Sequence, residues 1–248
     1  IANTTGPVVL AMAKGAGMIH PDLGLLRPGT EQVAGVPHAT MLAFLLTDAQ
    51  VSRETLERAL IAATNVTFNA CSVDGDTSTN DTVIAMASGA NSTAVTEAAL
   101  TVALTEVCDE LARSMARDGE GAEHLAVIEV RGLADDAAAR QIAKTVATSS
   151  LVKTALFGQD ANWGRLLAAA GRAGVAFDPS RARISIGNER IVHDGLAVGA
   201  EAEARAAKVL AADSYVVRLE LGDGPGVAHY YTCDFGHGYV DVNAGYRS

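Results

Sequence analysis

Apolar residues recur every three to four positions along several stretches of the chain and alternate with polar ones along others. After Ser52 the run RETLERALIAAT carries an acid in its first turn and apolar residues at helical spacing, predicting a helix to about Thr64 with Ser52 as its N-cap. A longer run over 93–117, TAVTEAALTVALTEVCDELARSMAR, keeps the 3.6-residue period until the glycine-rich DGEG ends it. DDAAARQIAKTVATS at 135–149 and NWGRLLAAAGRAG at 162–174 read as amphipathic helices, and alanine-rich EAEARAAKVLAA at 201–212 as a solvated one. HLAVIEVRG (124–132), RISIG (183–187), SYVVRLELG (214–222) and VAHYYTCD (227–234) read as strands between turns. The apolar MLAFLL at 41–46 fits a helix or a buried strand. Helices and strands mix throughout, so the fold class is α/β in the mixed α+β sense.

Composition narrows the setting. With 248 residues, 49% hydrophobic and 19% charged, the chain has enough apolar surface for one large domain or two lobes. Glycine and polar residues cluster at 157–164, where a lobe boundary is expected. No apolar run reaches the roughly 18–20 residues a membrane helix needs, and a soluble cytoplasmic protein is expected. The first residue is Ile1 and the opening reads like the inside of a domain, so a fragment or processed piece of a longer precursor is expected. Cys71, Cys108 and Cys233 lack metal or disulfide spacing. A formal charge of −10 without a basic cluster excludes nucleic acid and leaves small molecules or proteins as partners.

The motifs decide less taken singly. KGAGMIH has two glycines but lacks the third of a dinucleotide fingerprint, and reads as a tight turn. DGDTSTND, starting at Asp74, imitates a calcium loop but has Thr79 where the turn glycine belongs and Ala85 where the bidentate acid belongs. It reads instead as a dense polar turn bonding local backbone, or supporting a site. No HExxH or GxSxG is present, which removes the usual zinc and serine hydrolase signals. Thr40 is either an N-cap for a helix starting at Met41 or a nucleophile released by self-cleavage, its new α-amino group serving as base.

Six stretches in one order, KGAGMIHPDL, ATMLAFLLTDA, FNACSVDGDTSTNDT, DGEGA, SLVKTALFGQDANWGR and YVDVNAGYRS, resemble the ornithine acetyltransferase (glutamate N-acetyltransferase, ArgJ) family. The resemblance runs from Lys14 to Ser248. It implies an ArgJ/DmpA-like fold of self-cleaving threonine-nucleophile enzymes, with two lobes. The resemblance places a cut between Ala39 and Thr40, which would make 1–39 the tail of an α chain and 40–248 a β chain. It further implies that Thr40 carries the acetyl group of N-acetylornithine to glutamate as an ester, with no metal or organic cofactor, and leaves open whether acetyl-CoA is also an acetyl donor, since monofunctional and bifunctional members share these motifs. The partner is the rest of the α chain, where the family's oxyanion-hole Thr-Gly pair lies, and the assembly is a dimer of αβ units.

Carried over residue by residue, the substrate contacts are Lys14, Thr40, Glu120, Asn243 and Ser248. Lys14 suits a carboxylate, Glu120 an ammonium, and Asn243 and Ser248 either; read without the resemblance, they are surface charge and a polar tail. Two departures stand out. Residues 24–38, GLLRPGTEQVAGVPH, replace the family's one-residue link between the Pro-Asx pair and ATML, and this longer tether is expected to slow self-cleavage. After DGEGA, Glu123-His124 stands where the family commonly has Thr-Lys. An amidase or aminopeptidase with the same threonine, and an unprocessed amino-acid-binding relative, are the competing readings.

Overall fold

The computed structural model describes residues 6–24 and 40–245, so Ala39, Ser248 and nearly all of the 24–38 stretch lie outside the described residues. The chain divides into two compact units, Ile1–Met115 and Ala116–Ser248.

In the first unit β1 (Val9–Lys14) pairs antiparallel with β2 (Leu42–Ala49), which pairs parallel with β4 (Thr82–Asn91). Between them lie α1 (Arg53–Val66), a 3-10 turn at Phe68–Ala70 and the short β3 (Cys71–Ser72); α2 (Glu97–Arg117) follows. MLAFLL is therefore strand, and Thr40 caps no helix. Along β2, Ala43, Leu45, Thr47 and Ala49 are buried while the alternate residues are half-exposed. Register places Met12, Phe44 and Ile84 on one rung and Leu10, Leu46 and Met86 on the next. This second face is apolar too, with Leu10, Met12, Ile84 and Met86 exposed.

The helices start where side chains can take their first N–H groups. Ser52 accepts from Thr55 N at 3.1 Å, as expected for an N-cap. α2 begins at Glu97, four residues later than its apolar period suggested, because β4 runs to Asn91 and Thr96 Oγ1 accepts from Ala99 N at 3.2 Å. Leu100, Leu104, Cys108 and Ala112 form its buried stripe at fourfold spacing.

In the second unit six strands are hydrogen-bonded in the order β10, β5, β9, β6, β7, β8. Here β5 is Leu125–Leu133, β6 Arg183–Ile186, β7 Glu189–His193, β8 Leu196–Ala197, β9 Ser214–Glu220 and β10 Gly226–Cys233. Central β5 pairs antiparallel with β10 and parallel with β9. The helices are α3 (Asp136–Ala147), α4 (Ser150–Phe157), α5 (Trp163–Gly171), α6 (Ala200–Leu210) and α7 (His237–Gly245). α3 lies on β5 and β10, and Ile128, Val130, Ile142, Val146, Tyr230 and Tyr231 are part of the core. Residues 157–164, where a boundary was expected, join α4 to α5 inside this unit: Asn162 caps α5 by accepting from Arg165 N. Nor is α6 solvated all round. Ala202, Ala206 and Leu210 bury one face, a stripe too small-sided to register as amphipathic in an alanine-rich run.

Candidate active site

The parallel register sets the geometry around Thr40. Leu42 pairs with Thr82, and Thr82 N donates to Met41 O at 3.1 Å, so Asp81 stands opposite Thr40 and Met41. Asp81 Oδ1 accepts from Thr40 Oγ1 at 3.0 Å and from Met41 N at 3.0 Å. Its Oδ2 is buried and takes no hydrogen bond among the described residues. The threonine hydroxyl is thus directed at a carboxylate 41 positions away in the sequence.

The same polar stretch holds the KGAGMIH turn. Asp74 accepts from Met18 N at 2.7 Å and from Ile19 N at 3.2 Å, and Thr77 Oγ1 donates to His20 O at 2.9 Å. Burial pushes the Asp74 carboxyl above its ordinary range despite these N–H donors. The turn in turn abuts Thr40: a Cβ on Gly15 would lie 2.9 Å from Thr40 O and from Ile19 Cδ1, so only glycine fits without displacement. Lys14, exposed at the end of β1, pairs with Leu42 and so lies at the Thr40 end of the β1–β2 ladder. Two of the anticipated site residues, Lys14 and Thr40, are brought to one end of one sheet.

Two others meet in the second unit. Asn243 Nδ2, on α7, donates to Glu120 Oε2 at 3.0 Å and to Tyr239 O at 3.1 Å. The DGEGA turn sits directly against the start of α7, where a Cβ on Gly121 (φ +68°) would overlap Tyr239 N and the Gly238 carbonyl carbon. Just downstream, Asp234 Oδ1 accepts from Glu123 N at 2.9 Å and His124 N at 3.0 Å, while His124 Nδ1 lies 2.9 Å from Ala212 O. Glu123, His124 and Asp234 place one potential ligand atom each within 4.8 Å of one another. Two of the three side chains are already occupied in holding backbone, so the cluster is first a structural knot. Burial, reinforced by the Asp234 charge, pushes the Tyr215 phenol up.

Buried Lys153 on α4 donates to Thr232 Oγ1 at 2.9 Å and to Cys233 O, both at the end of β10. All three cysteines are buried and none is bridged, and burial pushes the Cys108 thiol up to about 12, away from reactive thiolate chemistry.

The ArgJ family model matches residues 2–248. The chain belongs to the ArgJ family. It is 48% identical over 245 residues to the arginine biosynthesis bifunctional protein ArgJ of Desulfotalea psychrophila, covering 96% of this chain and 58% of that protein. The protein of the same name from Geobacter sulfurreducens is 42% identical over 253 residues, covering all of this chain and 61% of the relative. The chain therefore spans about three fifths of the length of these curated relatives. The crystal structure of an arginine biosynthesis bifunctional protein ArgJ from Bacillus halodurans superposes with a TM-score of 0.78 at 41% identity, covering 82% of this chain and 98% of that one. This likeness establishes the family's mixed α/β fold. No described helix is long and apolar enough to cross a membrane.

Asp81 and Asp74, which the motifs include without naming their partners, are the residues that hold Thr40 and the turn beside it. The signal for them was the density of oxygen-bearing side chains at 74–81, which marked a supporting turn without naming what it supports.

Proposed function

We propose that the chain is the nucleophile-bearing part of an ornithine acetyltransferase of arginine biosynthesis, cut between Ala39 and Thr40. Thr40 Oγ1 attacks the acetyl carbonyl of N-acetylornithine, ornithine leaves, and glutamate takes the acetyl group from the threonyl ester. The ester divides one acyl transfer into two easier steps and keeps the acetyl group from being lost to water. Once the chain is cut, the α-amino group of Thr40, with an ordinary pKa of roughly 7.7–8.0, is the base for its own hydroxyl. Lys14 pairs with a substrate carboxylate and Glu120 with an ammonium, Asn243 holding the Glu120 carboxylate in place, and Ser248 adds a polar contact. No metal or organic cofactor takes part. Acetyl-CoA serves as a second acetyl donor, in keeping with the word bifunctional in the relatives' names. The working assembly is a cytoplasmic dimer of αβ units completed by the rest of the α chain.

The observation that carries this reading is the Thr40 hydroxyl, held at the entrance of a strand by Asp81 rather than capping a helix, in a chain of the ArgJ family. The test uses the full encoded polypeptide. Intact mass is expected to show a break before Thr40, and acetyl-labelled N-acetylornithine plus glutamate is expected to yield labelled N-acetylglutamate. Labelled acetate in its place would make the protein an amidase. A chain that stays whole and only binds amino acids would make it an unprocessed relative.

A further inference from the structure

Self-cleavage raises a problem that the mature mechanism does not solve. Until the Ala39–Thr40 bond breaks, the nitrogen of Thr40 is an amide whose lone pair is delocalised into the carbonyl, so the α-amino base does not yet exist. Another group must take the hydroxyl proton. Asp81 Oδ1 lies 3.0 Å from Thr40 Oγ1, inside the reach required of a general base. It is also fixed there: Met41 N donates to the same oxygen at 3.0 Å, and the β2–β4 pairing sets the height of Asp81 beside Thr40. We infer that Asp81 is the general base of the self-cleavage step and passes that role to the α-amino group once the chain is cut.

This assignment rests on the self-cleavage reading above. As Thr40 Oγ1 bonds to the carbonyl carbon of Ala39, its proton passes to the Asp81 carboxylate. Collapse breaks the bond from that carbon to the Thr40 nitrogen, which receives the proton from Asp81 and becomes an amine. Ala39 is then esterified to Thr40 Oγ1. One water hydrolyses the ester, leaving a carboxylate on Ala39 and restoring the hydroxyl; nothing is oxidised or reduced. In the mature protein Asp81 keeps its bonds to Thr40 and Met41 and acts as a positioning residue.

Asp81→Asn separates base from scaffold, because the amide oxygen still accepts from Thr40 and Met41 but takes up no proton. The full encoded polypeptide, its D81N and D81A variants and T40A are followed by intact mass after pulse synthesis, at several pH values. D81N is expected to be cut about a hundredfold more slowly or worse. Its residual rate should climb with pH as hydroxide replaces the base, its thermal melt should match the wild type, and hydroxylamine should release no extra chain because ester formation is the slow step and no ester accumulates. Formate is expected to restore part of the cutting in D81A, a rescue that depends on a proton acceptor and not on the fold of D81N. D81N cut at the wild-type rate, slowed with an unchanged pH profile, or accumulating a hydroxylamine-labile ester would each overturn the assignment while leaving self-cleavage intact. A wild-type chain that stays whole would overturn self-cleavage and this step together.

Discussion

The Thr40 end of the first unit and the Glu120–Asn243 corner of the second are both built on a glycine pressed against foreign backbone, yet they hold their functional groups in different ways. At Thr40 the hydroxyl is tied to a carboxylate that also binds the next backbone N–H, so its direction is fixed by the residue that leads into a neighbouring strand. At Glu120 the carboxylate has one amide donor, and both partners are open to solvent. The attack proposed for Thr40 needs its oxygen placed within a few tenths of an ångström, and the carboxylate one residue before β4 supplies that. A group that receives a charged ligand must give up its temporary partner, and a single exposed hydrogen bond is inexpensive to exchange for an ammonium.

The largest effect that would break this comparison is expected at Thr40 itself. Thr40→Ala removes the only atom able to form either ester, so the precursor stays whole and N-acetylornithine is not turned over, whereas Thr40→Ser retains part of both. Intact mass and an acetyl-transfer assay read the two losses separately, and turnover by the alanine variant would remove Thr40 from the mechanism.

Next comes the backbone contact at Gly121. Its positive φ and the overlap of any Cβ with Tyr239 and Gly238 mean that Gly121→Ala must push α7 away from the DGEGA turn. Strained left-handed backbone and overpacking each cost about 1–3 kcal/mol. Because α7 carries Asn243, the variant should lose substrate affinity along with stability, seen as a lower melting temperature and a raised KM. A lowered melting temperature with unchanged KM would mean that α7 does not position the substrate group. The milder Glu120→Gln sharpens the point without moving backbone. Loss of one charge-assisted contact costs about 1.5–3 kcal/mol, or roughly tenfold to a hundredfold in apparent affinity. Cutting before Thr40 should proceed as in the wild type; kinetics unchanged throughout would return Glu120 to a surface role.

How much of this was legible beforehand follows from the kind of pattern each region carries. In the second unit β5, β6, β9 and β10 announce themselves as short apolar runs bounded by turn residues, and α3 and α5 by their helical period, whereas β7 and β8 went unread. In the first unit both faces of the β1–β2–β4 sheet are apolar. Phe44 and Leu46 on one side answer Leu45 on the other, the period of two disappears, and MLAFLL stays ambiguous while β1 and β4 go unread. α7 was hidden by Gly238, Gly245 and its valines, which lower helix propensity in a stretch that reads as a polar tail. The family motifs supplied Lys14, Thr40, Glu120 and Asn243. The partnership of Thr40 with Asp81 depends on the register of two parallel strands 40 residues apart, which no local spacing encodes.

The smallest expected effect concerns the support behind the Thr40 end. Burial raises the Asp74 carboxyl above its unfolded value near 3.8, so between that value and the higher folded one the native state keeps a proton that the unfolded chain has released. Stability therefore falls as pH rises through that window, and above it the full burial cost of the carboxylate is present. Asp74→Asn does not titrate, so it lacks this slope. Its single acceptor oxygen cannot serve all of the N–H groups of Met18, Ile19 and Asp76 that the carboxylate receives, and that deficit does not change with pH. In urea denaturation the variant is expected to be the less stable protein at about pH 4, with the gap narrowing toward neutrality as the wild type takes on the burial cost. A gap that widens with pH would show that the three N–H donors outweigh burial.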